Sequence, residues 1–409
     1  MLDFIKPESS PALISLAQLI WPLYMKARFK ELDIECLPEV TQAFKEARNS
    51  ALIICPNHAA QEDPYILVGL SRLIKEHFMF LTARDLFGPA NSTMSKTLQK
   101  LGCFSVVRET ADISAFKAAL KLLKKKKRLV IFPEGEVSHQ NDFLLQLENG
   151  AEHIALAAQE NSNQIDSNAT VLILPLILKY RFKTDIVQEL RSVLGEVELK
   201  LGYTHPIERS MKLRIMQAYH YMLDTMENEH GYKLSSGLGL SLEARLKLLC
   251  EQLITESSKF LNIELEKNLT PLAQIHLLKN AFNEIRWHKT SLHSSETNDF
   301  ETSRIYFRHL KLATDLAAIS AHGFNHNLSQ EAAAELVCIL EHEVCGTNTI
   351  KRPEIVTITA GKTIDVSKFL EQYKNNRKQT IDLINQALRS ELSKKLVELN
   401  GCYKTIFVN

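Results

Sequence analysis

Residues 50–206 contain five short apolar runs, and more polar segments lie between these runs. The runs are ALIIC at 51–55, FMFLTA at 78–83, CFSVV at 103–107, LVIF at 129–132 and VLILPLIL at 171–178. Near-continuous apolar runs of this length are typical of strands that are covered on both faces, as in parallel sheets. Between two of the runs, apolar residues recur at helical spacing over 113–123. The pattern predicts an α/β core, a mostly parallel sheet with flanking helices.

The pattern changes at about residue 207, where apolar residues begin to recur three and four positions apart. One such stripe consists of Leu242, Leu246, Leu249 and Leu253, and further helices are predicted over 303–321 and 329–345. Leucine and methionine stripes at this spacing are typical of helices that pack on one another. We therefore predict an all-helical insertion over 207–350.

Strand composition returns in the segment RPEIVTITAGKTIDV at 352–366. Ile355, Thr357 and Thr359 alternate there before Gly361, which predicts a strand. The chain then ends in a predicted helix whose apolar stripe runs from Ile381 to Leu399. The predicted regions are a lead-in over 1–49, the α/β core over 50–206, the helical insertion over 207–350, and a returning strand with its C-terminal helix over 351–409.

The lead-in contains an apolar stretch over 11–25 that is shorter than the ~20 residues a bilayer span requires. Trp21 and Tyr24 lie close to three cations, which are Lys26, Arg28 and Lys30. Aromatic and basic residues in this arrangement predict a helix that lies at the surface of a lipid membrane. Packing of the same helix on the core of the protein is the alternative.

Composition and net charge indicate what class of protein this chain belongs to and where it is located. The chain is 45% hydrophobic and 24% charged, as in a soluble globular protein, and its net charge of +1 gives no indication of nucleic-acid binding. The seven cysteines form no C-x-x-C pair, which favours reduced thiols. The N-terminus lacks the pattern of a signal peptide. We expect a cytoplasmic location, with the protein peripheral on the membrane surface.

Polar residues that could carry chemistry follow three of the predicted strands. Open α/β sheets bind their ligands at the carboxyl ends of the strands. Asn57, His58 and Asp63 follow the strand at 51–55, and Arg108 follows the strand at 103–107. The stretch FPEG at 132–135 follows a third strand. A carboxylate that holds an imidazole would make His58 a general base. Each feature alone is more often structural, but their common position predicts one crevice.

The order of these motifs resembles the glycerolipid acyltransferase family. That family includes the lysophosphatidic-acid and glycerol-3-phosphate acyltransferases, with tafazzin-like enzymes as neighbours. The motifs read Asn57-His58 to Asp63, Gly102 to Arg108, Phe132-Pro133-Glu134-Gly135, and Leu174-Pro175-Leu176. The resemblance implies transfer of a fatty acyl group from acyl-CoA or acyl-carrier protein to a hydroxyl of a glycerol phosphate or lysophospholipid. It implies no metal and no other cofactor. In that family a strand with a similar glycine-containing ending closes the sheet, so the resemblance also implies that residues 352–366 rejoin the sheet of the first half.

The resemblance also implies roles for single residues. His58 would take the proton of the acceptor hydroxyl, and Asp63 would hold the imidazole. Arg108 would bind the acceptor phosphate with the help of Arg84. Pro175 is expected to break its strand and to shape the wall of the crevice. The remaining residues expected in the substrate site are Asn57, Pro133, Glu134 and Gly135. The Glu134 carboxylate would bind an acceptor hydroxyl or Arg108.

One motif departs from the family. Its third motif often continues F-P-E-G-T-R-S, whereas this chain reads FPEGEVS at 132–138. Glu136 and Val137 therefore replace a threonine and a cation, which favours a lysophospholipid over a small and strongly anionic acceptor. Two other functions remain open from the sequence. One is a catalytically inactive, membrane-associated scaffold, and the other is a hydrolase that cleaves an acyl ester or thioester.

Overall fold

The computed structural model describes the chain in segments, which are residues 3–29, 32–89, 92–164, 169–203, 210–232, 239–266, 268–289, 297–322, 324, 328–350 and 353–402. The chain divides into two compact units. The sheet unit comprises Met1–Ser138, Asp142–Arg181 and Glu354–Tyr403. The helical unit comprises Phe182–Pro353 together with the short segment His139–Asn141.

The described strands form one mixed sheet. They are β1 (Asp33–Cys36), β2 (Ala51–Pro56), β3 (Phe78–Ala83), β4 (Cys103–Val106), β5 (Arg128–Val130), β6 (Val171–Arg181), β7 (Ile355–Ala360) and β8 (Ile364–Asp365). Their order is β1-β7-β6-β2-β5-β3-β4, and β8 also pairs with β6. All pairs are parallel except those of β7 and β8 with β6. The predicted α/β fold with a mostly parallel sheet is confirmed.

The described helices are α1 (Pro11–Phe29), α2 (Pro38–Glu46), α3 (Asp63–Leu73), α4 (Thr93–Lys100), α5 (Ile113–Lys124), α6 (Gly150–Asn163), α7 (Val187–Lys200), α8 (Met211–His230), α9 (Leu242–Leu261), α10 (Pro271–Lys289), α11 (Thr297–His322), α12 (Gln330–Cys345), α13 (Leu370–Asn375) and α14 (Arg377–Cys402). The sheet carries two apolar cores because successive strand side chains point to opposite faces. Leu52 and Ile54 pack with α2 and α3, whereas Ile53 packs with α5, α6 and α14.

The returning segment of the chain pairs with the first half, as predicted. β7 runs antiparallel to β6, from Leu176 opposite Ala360 to Arg181 opposite Ile355, and it runs parallel to β1. Residues 351 and 352 of the predicted segment lie outside the described residues. β7 ends at Ala360, and a Cβ atom on the next residue, Gly361, would lie 3.0 Å from the Glu391 side chain. The close packing of α14 therefore favours glycine at this turn.

Pro175 does not break its strand, contrary to our expectation. β6 is continuous through Pro175, which lies opposite Cys55 in the parallel pair with β2. Gly361 N–H donates to Pro175 O over 3.0 Å, so the proline nitrogen faces the link between β7 and β8. A proline is tolerated in a central strand here because no strand on that side requires its missing N–H.

The helical unit begins earlier than the boundary expected at 206 and 207, two residues that lie outside the described ones. α7 belongs to this unit because its Leu190 and Leu194 share a core with Ile215 and Tyr219 of α8. Ser329 caps α12 at its first turn, and Gly346 ends it with a left-handed backbone (φ +73°). The unit is built from helix stripes, as the sequence pattern indicated.

One face of α1 packs on α3, and the opposite face is apolar and exposed. Gln18 and Trp21 contact α3: Gln18 donates to Ser71 Oγ, and the Trp21 N–H donates to Tyr65 O over 2.7 Å. Gly69 of α3 leaves room for the indole, so Trp21 packs on the protein instead of lying free at a membrane surface. The other face exposes Leu16, Leu19, Ile20 and Leu23. Lys30 and the Arg28 side chain lie outside the described residues. In the described part of the chain, no helix combines the length and apolarity that crossing a bilayer requires.

Candidate active site

The first motif leaves the sheet at the end of β2. Asn57 continues the pairing with β6, because its side chain accepts a hydrogen bond from Leu178 N (2.7 Å) and donates one to Leu178 O (3.1 Å). Its backbone N–H also donates to Leu176 O. Asn57 is buried, and both ends of its amide are used. The side chain therefore fixes the point at which the chain turns toward His58.

His58 and Asp63 are in contact. The distance from His58 Nδ1 to Asp63 Oδ2 is 2.9 Å, and Asp63 is the first residue of α3. Asp63 is 0% exposed, and it also accepts hydrogen bonds from Ala60 N (3.1 Å) and from the Tyr180 hydroxyl (2.6 Å). Because an ionised carboxylate only accepts hydrogen bonds, Nδ1 carries the hydrogen and Nε2 keeps a lone pair. Burial raises the pKa of Tyr180 well above its usual value, so this hydroxyl remains a donor.

The imidazole ring is held from a second side. The ring of Phe132 stacks on it, with centroids 3.9 Å apart and planes 22° from parallel. The His58 side chain keeps 14% of its surface exposed, whereas its partner Asp63 is fully covered. The arrangement leaves a partly exposed imidazole whose plane is fixed. This is what a general base requires.

Glu134 connects the third motif to the first. Its carboxylate accepts hydrogen bonds from His58 N (2.7 Å) and Leu145 N (2.8 Å), and it is 0% exposed. Burial raises the pKa of this carboxyl above its usual value. Ser138 completes the link, since its N–H and its hydroxyl both donate to His58 O. Among the contacts that the structure gives Glu134, none is with Arg108, although we expected one with Arg108 or with substrate.

Arg108 lies against the loop that follows Glu134. Its Nη1 donates to Gly135 O (2.5 Å) and to Glu136 Oε2 (3.2 Å), and its Nη2 is 3.8 Å from Asp85 Oδ2. Gly135 has φ +71°, a left-handed conformation that favours glycine and turns this carbonyl toward the arginine. The Arg108 side chain is 16% exposed. Its guanidinium is thus already shared between a carbonyl and two carboxylates.

Two other predicted residues are structural in their contacts. Arg84 is buried, and its guanidinium donates to Asp3 O and Gly88 O, both over 2.7 Å. Burial lowers the pKa of this guanidinium. Pro133 is buried, and its carbonyl accepts a hydrogen bond from Glu148 N over 2.7 Å. These contacts hold the chain around the site and give neither residue an open face toward a ligand.

The sequence reasoning missed three side chains of this site, which are Phe132, Ser138 and Tyr180. Tyr180 was missed because the strand was predicted to end at residue 178, whereas β6 continues to Arg181. Tyr180 shares the period-two register of Leu176 and Leu178, the residues that pair with the first motif. A polar hydroxyl at the end of an apolar strand, on the face of the motif, was the available signal.

We find no arrangement for a metal in the described part of the chain. No group of three or more histidine, cysteine, aspartate or glutamate side chains there could hold a metal ion. The Asp63 and Glu134 carboxylates are instead occupied by hydrogen-bond donors of the protein itself. The chemistry that the arrangement supports is proton transfer at His58 Nε2.

A comparison with known protein families matches residues 37–179 to the family described as Acyltransferase. The match runs from the start of α2 into β6, and it contains every residue of the site described above except Tyr180. No curated protein matches the chain. The match agrees with the motif order of the sequence and with the mixed α/β sheet that carries the motifs. Residues 37–179 therefore form an acyltransferase domain of the glycerolipid acyltransferase family.

Proposed function

We propose that the chain transfers a fatty acyl group from a thioester to a hydroxyl of a glycerol phosphate or lysophospholipid. The thioester would be acyl-CoA or acyl-carrier protein. The observation that carries the proposal is the 2.9 Å contact between His58 Nδ1 and the buried Asp63. This contact uses Nδ1 of a partly exposed imidazole, so Nε2 keeps its lone pair.

The reaction follows from that geometry. His58 Nε2 takes the proton of the acceptor hydroxyl while its oxygen bonds to the thioester carbonyl carbon. The carbon–sulfur bond then breaks, and the leaving thiolate receives a proton from the imidazolium. Asp63 keeps the imidazole in the required tautomer and stabilises its charged form, as the acid does in a serine–histidine–aspartate triad. General base catalysis of this kind contributes about 10²–10⁴-fold to the rate.

The other predicted residues take supporting roles in this proposal. Asn57 and Glu134 position the backbone of His58 through the hydrogen bonds described above. Arg108 and the Gly135 carbonyl face the acceptor, because the guanidinium keeps part of its surface exposed. Arg84 and Pro133 support the surrounding chain. The mechanism needs no metal and no cofactor besides the acyl donor.

We propose that α1 brings this site to a lipid surface. Leu19 and Leu23 are 69% and 73% exposed on one face of the helix, and Leu16 and Ile20 extend the same apolar surface. A helix that is held by the protein on one side and apolar on the other can enter the headgroup region of a bilayer. Acceptors with acyl chains reside in that region, so docking there would supply substrate.

Vesicle flotation tests the membrane proposal. Replacing Leu19 and Leu23 by glutamate together should lower the fraction bound to phospholipid vesicles by more than about tenfold, because each buried leucine contributes ~1.5–3 kcal/mol. Val397→Glu is the matched control, since Val397 is also 69% exposed but lies on α14. Equal binding of the double variant and the wild type would contradict the proposal.

Thiol release tests the reaction. Wild-type protein is supplied with acyl-CoA or acyl-carrier protein, with and without glycerol 3-phosphate and a panel of lysophospholipids, on vesicles. We expect thiol release that depends on the acceptor. Release that is equally fast without acceptor would favour a hydrolase. No release with either donor, from protein that melts cooperatively, would favour the inactive scaffold.

A further inference from the structure

The cation of the site lies between two acidic side chains. Arg108 Nη1 is 3.2 Å from Glu136 Oε2, and its Nη2 is 3.8 Å from Asp85 Oδ2. The three side chains are between 16% and 23% exposed, so water screens them only in part. The three groups have a negative formal charge, and the buried Arg84 also interacts electrostatically with Asp85.

This charge sets what can bind against Arg108. A phosphate monoester carries a charge of about −1.5 to −2 near pH 7, because its second pKa is about 6. Such a group would have to displace Glu136 from the guanidinium and would then lie beside two carboxylates. A phosphodiester carries a single negative charge, and it can share the guanidinium at a smaller electrostatic cost.

We propose that the cluster of Asp85, Arg108 and Glu136 selects a zwitterionic lysophospholipid as acceptor and discriminates against phosphate monoesters. The phosphodiester of the acceptor pairs with Arg108, and its ammonium group lies against Glu136 and Asp85. Each charge of the headgroup then lies beside an opposite charge, and no carboxylate has to leave. Such an acceptor presents its glycerol hydroxyl to His58. This inference rests on the proposed function and specifies its substrate class.

The loop over residues 134–138 connects this cluster to His58, the residue that reacts with the acceptor hydroxyl. Glu136 lies between Gly135, whose carbonyl accepts from Arg108, and Ser138, which donates twice to His58 O. Glu134 on the same loop holds His58 N. The acceptor headgroup and the general base are thus fixed by one short segment of chain. Selection at Glu136 therefore acts on the same bound molecule that His58 deprotonates.

Acceptor competition tests the inference. Wild type and Glu136→Gln are given equal concentrations of a lysophospholipid with an ethanolamine headgroup and of lysophosphatidate with the same acyl chain. The ratio of kcat/KM for the two acceptors is then measured. Wild type should prefer the zwitterion, and E136Q should shift the ratio toward the monoester by about tenfold or more, because one adjacent negative charge is lost. Asp85→Asn should shift it in the same direction but less.

The control removes an equal charge elsewhere. Glu371→Gln alters an exposed glutamate on α13 and should leave the ratio unchanged. Binding of lysophosphatidate to the His58→Ala forms, with and without E136Q, gives a second readout that needs no turnover. An unchanged ratio in E136Q, or a wild-type preference for lysophosphatidate, would overturn the inference while leaving acyl transfer intact. Absence of transfer to every acceptor would reject the proposed function, and this inference with it.

Discussion

The sheet unit and the helical unit bury charged side chains in different ways. In the sheet unit, Asp63 and Glu134 lie at the carboxyl ends of strands and bind the ring and the backbone of one residue, His58. In the helical unit, Glu198 of α7 and Arg214 of α8 bind each other through two hydrogen bonds of 2.8 and 2.7 Å. The first arrangement supports a side chain that remains partly exposed, and the second encloses both partners.

The difference separates a buried charge that prepares chemistry from one that joins helices. A carboxylate with a reactive and accessible partner affects the reaction when it is removed. A carboxylate whose partner is equally buried affects the free energy of unfolding. The two units therefore predict opposite outcomes for the same kind of substitution.

The largest effect is expected for Asp63→Asn. An asparagine amide can donate to Nδ1 and so favour the tautomer whose Nε2 carries a hydrogen, which would remove the base. We expect acceptor-dependent turnover to fall by about 10²–10⁴-fold, measured as acylated product per folded protein. A variant that keeps more than a tenth of wild-type turnover would show that Asp63 only has a packing role.

In the helical unit, Glu198→Ala should act on stability. It leaves the Arg214 guanidinium buried without its carboxylate, which costs about 3–5 kcal/mol of unfolding free energy. Urea titration measures this loss. Turnover per folded molecule should stay within about twofold of wild type, because no proton transfer uses this pair. A large fall in turnover with unchanged stability would reverse the proposed distinction between the units.

A third carboxylate, Glu152, lies in the core of the sheet unit, and its contacts in the described part of the chain include no basic side chain. Its substitution shows how burial alone affects stability. Asn385 donates to its Oε1 over 3.3 Å, and burial raises its pKa to about 7. Since the pKa is higher in the folded state, its protonated form stabilises the fold at low pH. That stability decreases as the pH rises from about 4.5 to 7, by roughly 3 kcal/mol.

Glu152→Gln should remove this part of the pH dependence. Unfolding free energies at pH 5 and pH 8 would be compared for wild type and E152Q, because the raised pKa of Glu134 contributes with the same sign to both. We expect the wild type to lose more stability than E152Q between these values. Parallel pH profiles would mean that Glu152 does not titrate in this range.

The smallest effect is expected for a matched pair of tyrosines, one in each unit. Tyr180→Phe removes the 2.6 Å hydrogen bond to Asp63, and Tyr219→Phe removes a 3.0 Å bond to Leu336 O in the helical unit. Each should cost about 0.5–1.5 kcal/mol of stability. Only Y180F should also lower turnover, by about 2–10-fold, since it loosens the carboxylate that orients His58. Equal turnover in the two variants would remove Tyr180 from the site.

Much of this site follows from local sequence pattern. The strands at 51–55 and 171–178, the turn at His58 and the glycine at 135 are set by alternation, burial and turn chemistry close to the residues concerned. The predicted contact between His58 and Asp63, which are five residues apart, follows from a turn after a strand and the start of the next helix. The return of 355–360 to the sheet was predicted from its strand composition together with the family resemblance.

Partners far apart in the sequence were harder to predict. Whether Glu134 would face substrate or the His58 backbone depends on how two loops pack, and residue types do not specify that. Arg84 was expected to assist with the phosphate because the family often carries a basic residue there, but its guanidinium donates to the carbonyl groups of Asp3 and Gly88. Pro175 was expected to interrupt β6, yet the change of partner from β8 to β7 accommodates it. Each case depends on contacts across the fold.

Product analysis of His58→Ala tests the central proposal most directly. Wild type and H58A, matched by vesicle binding and thermal melting, are incubated with an acyl thioester and the acceptor that wild type uses, and the acylated acceptor is quantified by mass spectrometry. The proposed mechanism predicts a fall of about 10²–10⁴-fold in the initial rate of product formation. Product formation by H58A at the wild-type rate would contradict the role of His58 as the base that deprotonates the acceptor.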